Sequence, residues 1–421
     1  MKSLSLKNQP WAFWGLSFYA VTTLLSMSLM SIGEGVFFLF FLIELGGPVS
    51  CIRLLRSQLL QPGPEFYFRL SVFLTFACAL SLICSEIFPL SYGGRFSEVH
   101  FLKDMAKAWY LYLPLFISAA LGKITVAQRI KVLRTWILAF TALSTFGLLQ
   151  HYIGWPRYQA IPSHSVSDLG RFHVNFFLGH HLSAANIFIF PFFAVLDFLI
   201  RKENPLRTSK NFIIFAVIVG GLALFWTYAR SLWVSLPLGL LCWGIWNLPK
   251  KWAATSILSL LVFIVLLSQS EPISKRFLDP IGVSTRKELW EANFEFFKNR
   301  PLTGVGWHHN LELSGIYFEK KYSSNSVFSG HAHNNFLEML ACTGLIGLTA
   351  WILWFCGVFK LLFGGLKRNL GSSFPRGLFC AWLVFHINGM TQVNFWESKV
   401  LHQIMWMVAW TLLWVGNENS H

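Results

Sequence analysis

Apolar stretches long enough to cross a bilayer recur along almost the whole chain, and this repetition limits the fold more than any single motif. Roughly 20 apolar residues in helical form span the hydrocarbon core of a membrane. About twelve such runs are readable, near 11–31, 33–46, 67–85, 101–121, 131–153, 174–200, 211–227, 230–247, 252–269, 335–362, 376–393 and 399–416. With 54% hydrophobic residues, 13% charged residues, 19 Trp and 42 Phe, the chain is too apolar for a soluble globular protein. The expected fold is all-α: a polytopic membrane protein of about twelve transmembrane helices with one large, partly helical loop. The first two runs should form a tight hairpin around Gly33, Glu34 and Gly35. Lys2 and Lys7 make the first run imitate a signal peptide, but its length and the closely following second run favour an uncleaved span. Three regions follow: residues 1–268 with about nine spans, an outer loop over 269–333, and residues 334–421 with about three spans.

The formal charge of +15 raises the question of nucleic acid, but the basic residues lie in short clusters between apolar runs and no nucleic-acid signature is present. With the N-terminus inside, one set of connections carries Arg53 and Arg56; Lys123, Arg129, Lys131 and Arg134; Arg201, Lys202, Arg207 and Lys210; Lys250 and Lys251; and Lys367, Arg368 and Arg376. The opposite connections carry chiefly Arg95, Arg157 and Arg171. This bias places both termini in the cytoplasm and the loop 269–333 outside it. None of the seven cysteines lies in that loop, which argues against a disulfide-stapled outer domain.

Within the loop, residues 285–298 have the period of an amphipathic helix, with Trp290, Phe294 and Phe297 on one face and Glu288, Glu291 and Glu295 on another. Such a helix suits the membrane surface. Pro301, Gly304 and Gly306 then make a bend, and residues 308–330 resemble a lid more than a packed element. Ser329–Gly347 passes from a histidine-bearing loop into an apolar helix without a spacer, so His331 and His333 should stand at a helix mouth. Asn335 and Glu338 have the spacing of a helix cap, with the helix starting at Asn334 or Asn335. The positive end of that helix favours an anion nearby and the neutral, basic form of His333. Two solvated histidines on a capped helix is the plain alternative.

Other polar residues fall on the same outer side. Arg230 occupies an almost loop-free turn between two spans, where its cost in a bilayer calls for an anionic partner or for snorkelling to lipid phosphate. Arg286 begins the amphipathic helix, Arg171 precedes the span holding His180 and His181, and Lys103 and Lys107 lie one turn apart. Lipid snorkelling accounts for the two lysines equally well. His308, His309, His331 and His333 raise the question of zinc, but no cysteine or suitably spaced acid joins them, and no metal or other cofactor is expected. Glu288, Glu291 and Glu295 form a solvated face rather than a glycosidase carboxylate pair, and no nucleotide-binding loop is present. One histidine that can take a proton, arginines that can hold a diphosphate and a membrane setting suit transfer from a lipid-diphosphate donor. A transporter would place its ionisable groups near mid-membrane, where His386, read as a hydrogen-bonded core residue, is the clearest candidate.

His333-Asn334 with Gly344 and Gly347 resembles the His-Asn…Gly…Gly signature of the O-antigen ligase and polymerase superfamily. Arg286…Trp290…Arg300-Pro-Leu-Thr-Gly-Val-Gly306 is similar to that family's approach to its histidine, Ala229-Arg230 to its Ser-Arg motif, and Gly389–Phe395 is also familiar. The resemblance covers the second half of the chain and is nearest to the ligases. It implies a metal-independent glycosyltransferase of the bacterial inner membrane, with its active site facing the periplasm. That enzyme would move glycan from undecaprenyl diphosphate to a hydroxyl of the lipid A core. On this likeness His333 is the catalytic base, and Arg230 and Arg286 bind the diphosphate, with Arg171, Lys103 and Lys107 as further candidates. His331, Asn334, Asn335 and Glu338 support the site. An O-antigen polymerase with a lipid-linked glycan acceptor, or a protein O-oligosaccharyltransferase, is the alternative, since acceptor contacts leave no readable motif.

Overall fold

The computed structural model describes residues 10–88, 98–156, 171–200, 206, 208–251, 269, 280–322, 329–367 and 374–416. Among these residues there is no β-strand. The helices are α1 (Trp11–Thr22), α2 (Met27–Leu45), α3 (Pro48–Gln58), α4 (Pro62–Ile87), α5 (Glu98–Met105), a 3₁₀ turn (Ala106–Leu111), α6 (Leu113–Lys123), α7 (Val126–Ile153), α8 (His181–Leu199), α9 (Lys210–Phe225), α10 (Arg230–Asn247), α11 (Pro280–Asn299), α12 (Asn310–Tyr322), α13 (Asn335–Lys367), α14 (Phe374–Asn388) and α15 (Ser398–Gly416). The polytopic helical fold is therefore as the apolar runs require. Five of the described helices, α2, α4, α7, α8 and α13, have the length and composition to cross a bilayer on their own. The ninth expected span, near 252–269, lies almost wholly outside the described residues.

Two helices form the centre. Every residue of α8 from Ser183 to Phe198 is buried, and α15 is buried from Val400 to Leu413. Helices apolar all round belong inside a bundle, and α8 packs against α7, α9, α14 and α15 while α15 also meets α4, α6 and α13. Local signals set the ends. Thr125 and Gln128 form a reciprocal capping box that starts α7, and Ser26 and Ser209 accept from Leu29 N–H and Phe212 N–H to start α2 and α9. At one end of the core the buried Asp197 carboxylate accepts from Trp243 Nε1 at 2.5 Å and from Gly377 N–H at 2.6 Å, joining α8, α10 and α14.

Several boundaries differ from the periodicity reading for identifiable reasons. The first hairpin turns at residues 23–26, and Gly33, Glu34 and Gly35 lie inside α2. Gly33 faces the Thr22 side chain with no room for a Cβ, so its role is close helix approach rather than a turn. Glu34 accepts from Trp109 Nε1 at 2.8 Å. The expected span 101–121 is broken into α5, the 3₁₀ turn and α6, with Pro114 in the first turn of α6. On α11 the inward face is Leu289, Ala292, Asn293 and Phe296, whereas Trp290 and Phe294 are exposed. Residues 310–322 are not lid-like: α12 buries Leu313 and Phe318 against α11 in a small separate core. His386 has no hydrogen-bond partner among the described residues and packs instead between Phe355 and Trp382, at ring distances of 3.9 and 4.7 Å.

Candidate active site

Helix α13 breaks at Gly344, whose φ of 64° and ψ of −164° are open only to glycine. The segment Arg300–Gly306 crosses this break and replaces the bonds the helix loses. Val305 N–H and Gly306 N–H donate to the carbonyls of Ala341 and Cys342, both at 3.0 Å. Leu345 N–H and Ile346 N–H donate to Pro301 and Leu302, at 2.8 and 3.2 Å. A Cβ on Gly304 would overlap the Cys342 carbonyl group, and one on Gly344 would overlap that of Leu302. The two glycine motifs are thus halves of one backbone joint. It holds α11 and α12 beside the first turn of α13, in front of which the histidine loop lies.

His333 sits just before α13 with a positive φ of 47°, an uncommon backbone state for a residue with a side chain. Bonds on both sides hold it there. Asn334 is the cap, its Oδ1 accepting from Phe336 N–H at 2.9 Å and Leu337 N–H at 3.1 Å. The cap expected of Asn335 is therefore corrected by one residue, because the Asn335 amide is committed elsewhere: it accepts from Asn394 N–H at 3.0 Å and donates to Asn394 Oδ1 at 2.5 Å. Glu338 does reach back, but to the loop. Its buried carboxylate accepts from Ala332 N–H at 2.9 Å and Asn310 Nδ2 at 2.6 Å, and meets His331 Nδ1 at 3.2 Å.

The loop opens on a cleft of about 370 Å³. Lys107, His180, His308, His331, His333 and Glu397 supply its ionisable groups, and Leu182, Val393, Trp396 and Gln392 the rest of its wall. Burial, then the positive charges of Arg286 and His331, push the His333 pKa down to about 4 against the pull of Glu338. Its imidazole is therefore neutral at pH 7. Burial also opposes the charged form of His331, yet the hydrogen bond and charge of Glu338 prevail and raise its pKa. His308 is held well below the usual range by burial and by Lys107, His331 and His309. Neighbouring imidazoles thus divide into one cation-prone group and two neutral ones.

The cleft's far wall is the irregular segment between α14 and α15. Gly389 O accepts from Asn335 N–H at 2.7 Å and Met390 O from Asn334 Nδ2 at 2.9 Å, which fastens this wall to the His333 loop. Gln392 donates to Ser231 Oγ and accepts from Asn186 Nδ2 at 2.8 Å, and Glu397 accepts from Ser183 Oγ. Beneath it Asn186 also accepts from Asn388 and Asn394, at 3.2 and 2.9 Å. Most of these residues went unnoticed in the sequence; an acid or amide at the mouth of a span was the available signal for Glu397 and Gln392.

The five candidate cations are not brought to one point. Lys107 lines the cleft, and Arg286 lies close enough for its charge to act on His333. Arg230 begins α10, half-buried, next to Ser231, which accepts from Gln392 of the cleft wall. Arg171 stacks over the Tyr152 ring at 4.6 Å, outside the lining of the cleft, and Lys103 is exposed one turn before Lys107. Among the described residues no three His, Cys, Asp or Glu side chains are grouped as ligands of one metal would be.

Fold and site together define a polytopic helical membrane protein with a histidine-lined cleft at the mouth of its bundle. A family model described as O-antigen ligase matches residues 215–352, the part that carries Arg230, Arg286, the Gly344 joint and His333. The chain is 26% identical to an O-antigen ligase of Pseudomonas aeruginosa over 384 residues, covering 89% of this chain and 82% of that protein. It is also 25% identical over 171 residues to a putative polysaccharide ligase of Rickettsia felis, covering 38% and 40% respectively. These matches make the chain similar to the O-antigen ligases over most of its length and support a function of the O-antigen ligase type.

Proposed function

We propose that the protein transfers a glycan from undecaprenyl diphosphate to a hydroxyl of the lipid A core, at the periplasmic face of the inner membrane. His333 accepts the proton of the acceptor hydroxyl through its neutral imidazole. The freed oxygen attacks the anomeric carbon, the bond from that carbon to the diphosphate oxygen breaks, and undecaprenyl diphosphate leaves with the electron pair. A single displacement inverts the anomeric centre. Arg286 and Lys107 hold the diphosphate and stabilise charge on the leaving oxygen, and Arg230, set against the cleft wall through Ser231 and Gln392, binds the donor from the other side. Arg171 and Lys103, further out, draw the anion in.

The observation that carries this reading is the placement of His333 in a cleft where burial and Arg286 keep its imidazole unprotonated. Sidedness has its own support. Glu397, just ahead of α15, lines the cleft, while Leu412 and Leu413 near the other end of that helix line a second cavity with Lys123. At about 1.5 Å per residue the ends of α15 are roughly 28 Å apart, a separation that supports the cleft and the basic Lys123 end facing opposite sides of a bilayer. The test is reconstitution of purified protein with undecaprenyl-diphosphate glycan and core–lipid A. One transferred block is expected from the wild type, with donor left unconsumed by His333→Ala; a general base contributes about 100- to 10,000-fold. A ladder of lipid-linked lengths without core would make the protein a polymerase, and full activity in the variant would remove His333 as the base.

A further inference from the structure

The cleft is electrically uneven, and its unevenness bears on how a sugar would sit. Among the described residues Glu397 is the one carboxylate in its lining, which also carries the imidazoles of His180, His308, His331 and His333 and the ammonium of Lys107. One oxygen of that carboxylate, Oε1, accepts from Ser183 Oγ at the start of α8, which fixes the group's orientation. The other, Oε2, has no hydrogen-bond partner within the protein among the described residues. The Glu397 backbone carbonyl, not its side chain, accepts from Val400 N–H and Leu401 N–H, both at 2.9 Å, so the start of α15 does not depend on the carboxylate.

A fixed, half-buried carboxylate repels a diphosphate and accepts strongly from O–H donors. Beside it Trp396, Val393 and Leu182 offer an apolar wall. A carboxylate next to an apolar surface matches the two faces of a pyranose, hydroxyl edge and C–H face, whereas the Arg286 and Lys107 side matches the anion. We propose that Glu397 is the hydroxyl-binding subsite of the cleft, with Ser183 as its positioning residue, so that sugar and diphosphate are sorted to opposite sides of His333. This rests on the glycosyl-transfer reading and adds to it the residue that grips the sugar. The ring belongs either to the acceptor core or to the first residues of the donor glycan.

Equilibrium binding of lipid-free glycans tests the subsite apart from chemistry. Lipid-free core oligosaccharide and lipid-free O-glycan are titrated separately into the full-length protein in detergent, and Kd is measured for wild type, Glu397→Gln, Ser183→Ala and His333→Ala. Glu397→Gln keeps an oxygen for Ser183, so the fold is retained while the charge is lost. It is expected to weaken one of the two glycans on the order of 10-fold, the size of a lost hydrogen bond to a charged group, and to leave the other alone; the glycan affected identifies the sugar. Ser183→Ala should weaken the same glycan to a smaller degree, and His333→Ala should leave both Kd values in place while stopping transfer. Wild-type protein that binds neither glycan, or a Glu397→Gln variant with both Kd values unchanged, overturns the subsite. A Glu397→Gln variant that binds normally but loses transfer about 100-fold or more does so as well, by making Glu397 the base. Loss of transfer chemistry in the wild type with glycan binding intact would sink the ligase reading and leave the subsite standing.

Discussion

Replacing Gly344 with Ala perturbs the joint on which the cleft is built. Its dihedrals lie where a side-chain-bearing residue pays about 1–3 kcal/mol, and the added Cβ would overlap the Leu302 carbonyl group, backbone that cannot rotate away. Forcing that carbonyl aside adds about 1–3 kcal/mol of overpacking. It also endangers the bonds from Leu345 N–H and Ile346 N–H to Pro301 and Leu302, each with a net worth of about 1 kcal/mol. The two steric terms alone, roughly 2–6 kcal/mol before relaxation, correspond to a fall in Tm on the order of 10 °C. Because the same joint seats α11, the variant should also lose transfer, through Arg286 drifting from His333. Gly364 on the same helix is the control: nothing lies within 4 Å of a Cβ there, so Gly364→Ala should be neutral or stabilise by about 0.5–1 kcal/mol. The assay is thermal unfolding in a non-ionic detergent alongside transfer in proteoliposomes. A Gly344→Ala protein with wild-type Tm and rate, or equal damage from both variants, refutes the joint.

Protonating His333 removes the base, so kcat/KM falls as pH drops through its free-enzyme pKa; with that pKa at about 4, the acid limb lies near pH 4 rather than at the ordinary imidazole value of about 6.5. Arg286→Gln removes one of the charges that depress it and should move the limb upward, which a pH–rate series in both proteins would reveal; coincident limbs would contradict the electrostatic link. Arg286→Lys should restore donor affinity only in part, since an ammonium cannot offer the planar fork, and donor KM for the Gln and Lys variants measures this. Asn335→Leu leaves Asn394 N–H and Asn394 Oδ1 unpaired in a buried site and should cost about 1–3 kcal/mol for each orphaned group. Thermal unfolding reads that cost, and an unchanged Tm would mean that the wall at 389–397 is not held by this amide.

What the sequence made legible was set by the range of the physics involved. The all-helical membrane fold, the break at Pro301 and the histidine loop ahead of α13 follow from local hydropathy and backbone preference and stand in the structure, with five of the described helices long and apolar enough to span a bilayer. The lowered pKa of His333 agrees with the neutral form expected from the helix end, although its causes in the structure are burial, Arg286 and His331. The turn at residues 23–26 was misplaced because Gly33, an apparent loop signal, acts through contact with Thr22 on the facing helix. The inward face of α11, Leu289, Ala292 and Phe296, was not singled out in the sequence because it is defined by α12 and α13, which cover it from elsewhere in the chain. Glu397, Gln392 and Ser183 could not be ranked at all: their bonds join residues more than 150 positions apart. One physical rule nevertheless connects these misses. Backbone that leaves the helix beside a membrane must have its polar groups satisfied by protein or must line a cavity, and here the Gly344 break is satisfied by residues 300–306, while Asn334 and Asn335 and the segment 389–394 satisfy one another. Each irregular segment thus has its partner in another one, and the cleft is lined where the histidine loop at 331–333 meets the segment 392–397.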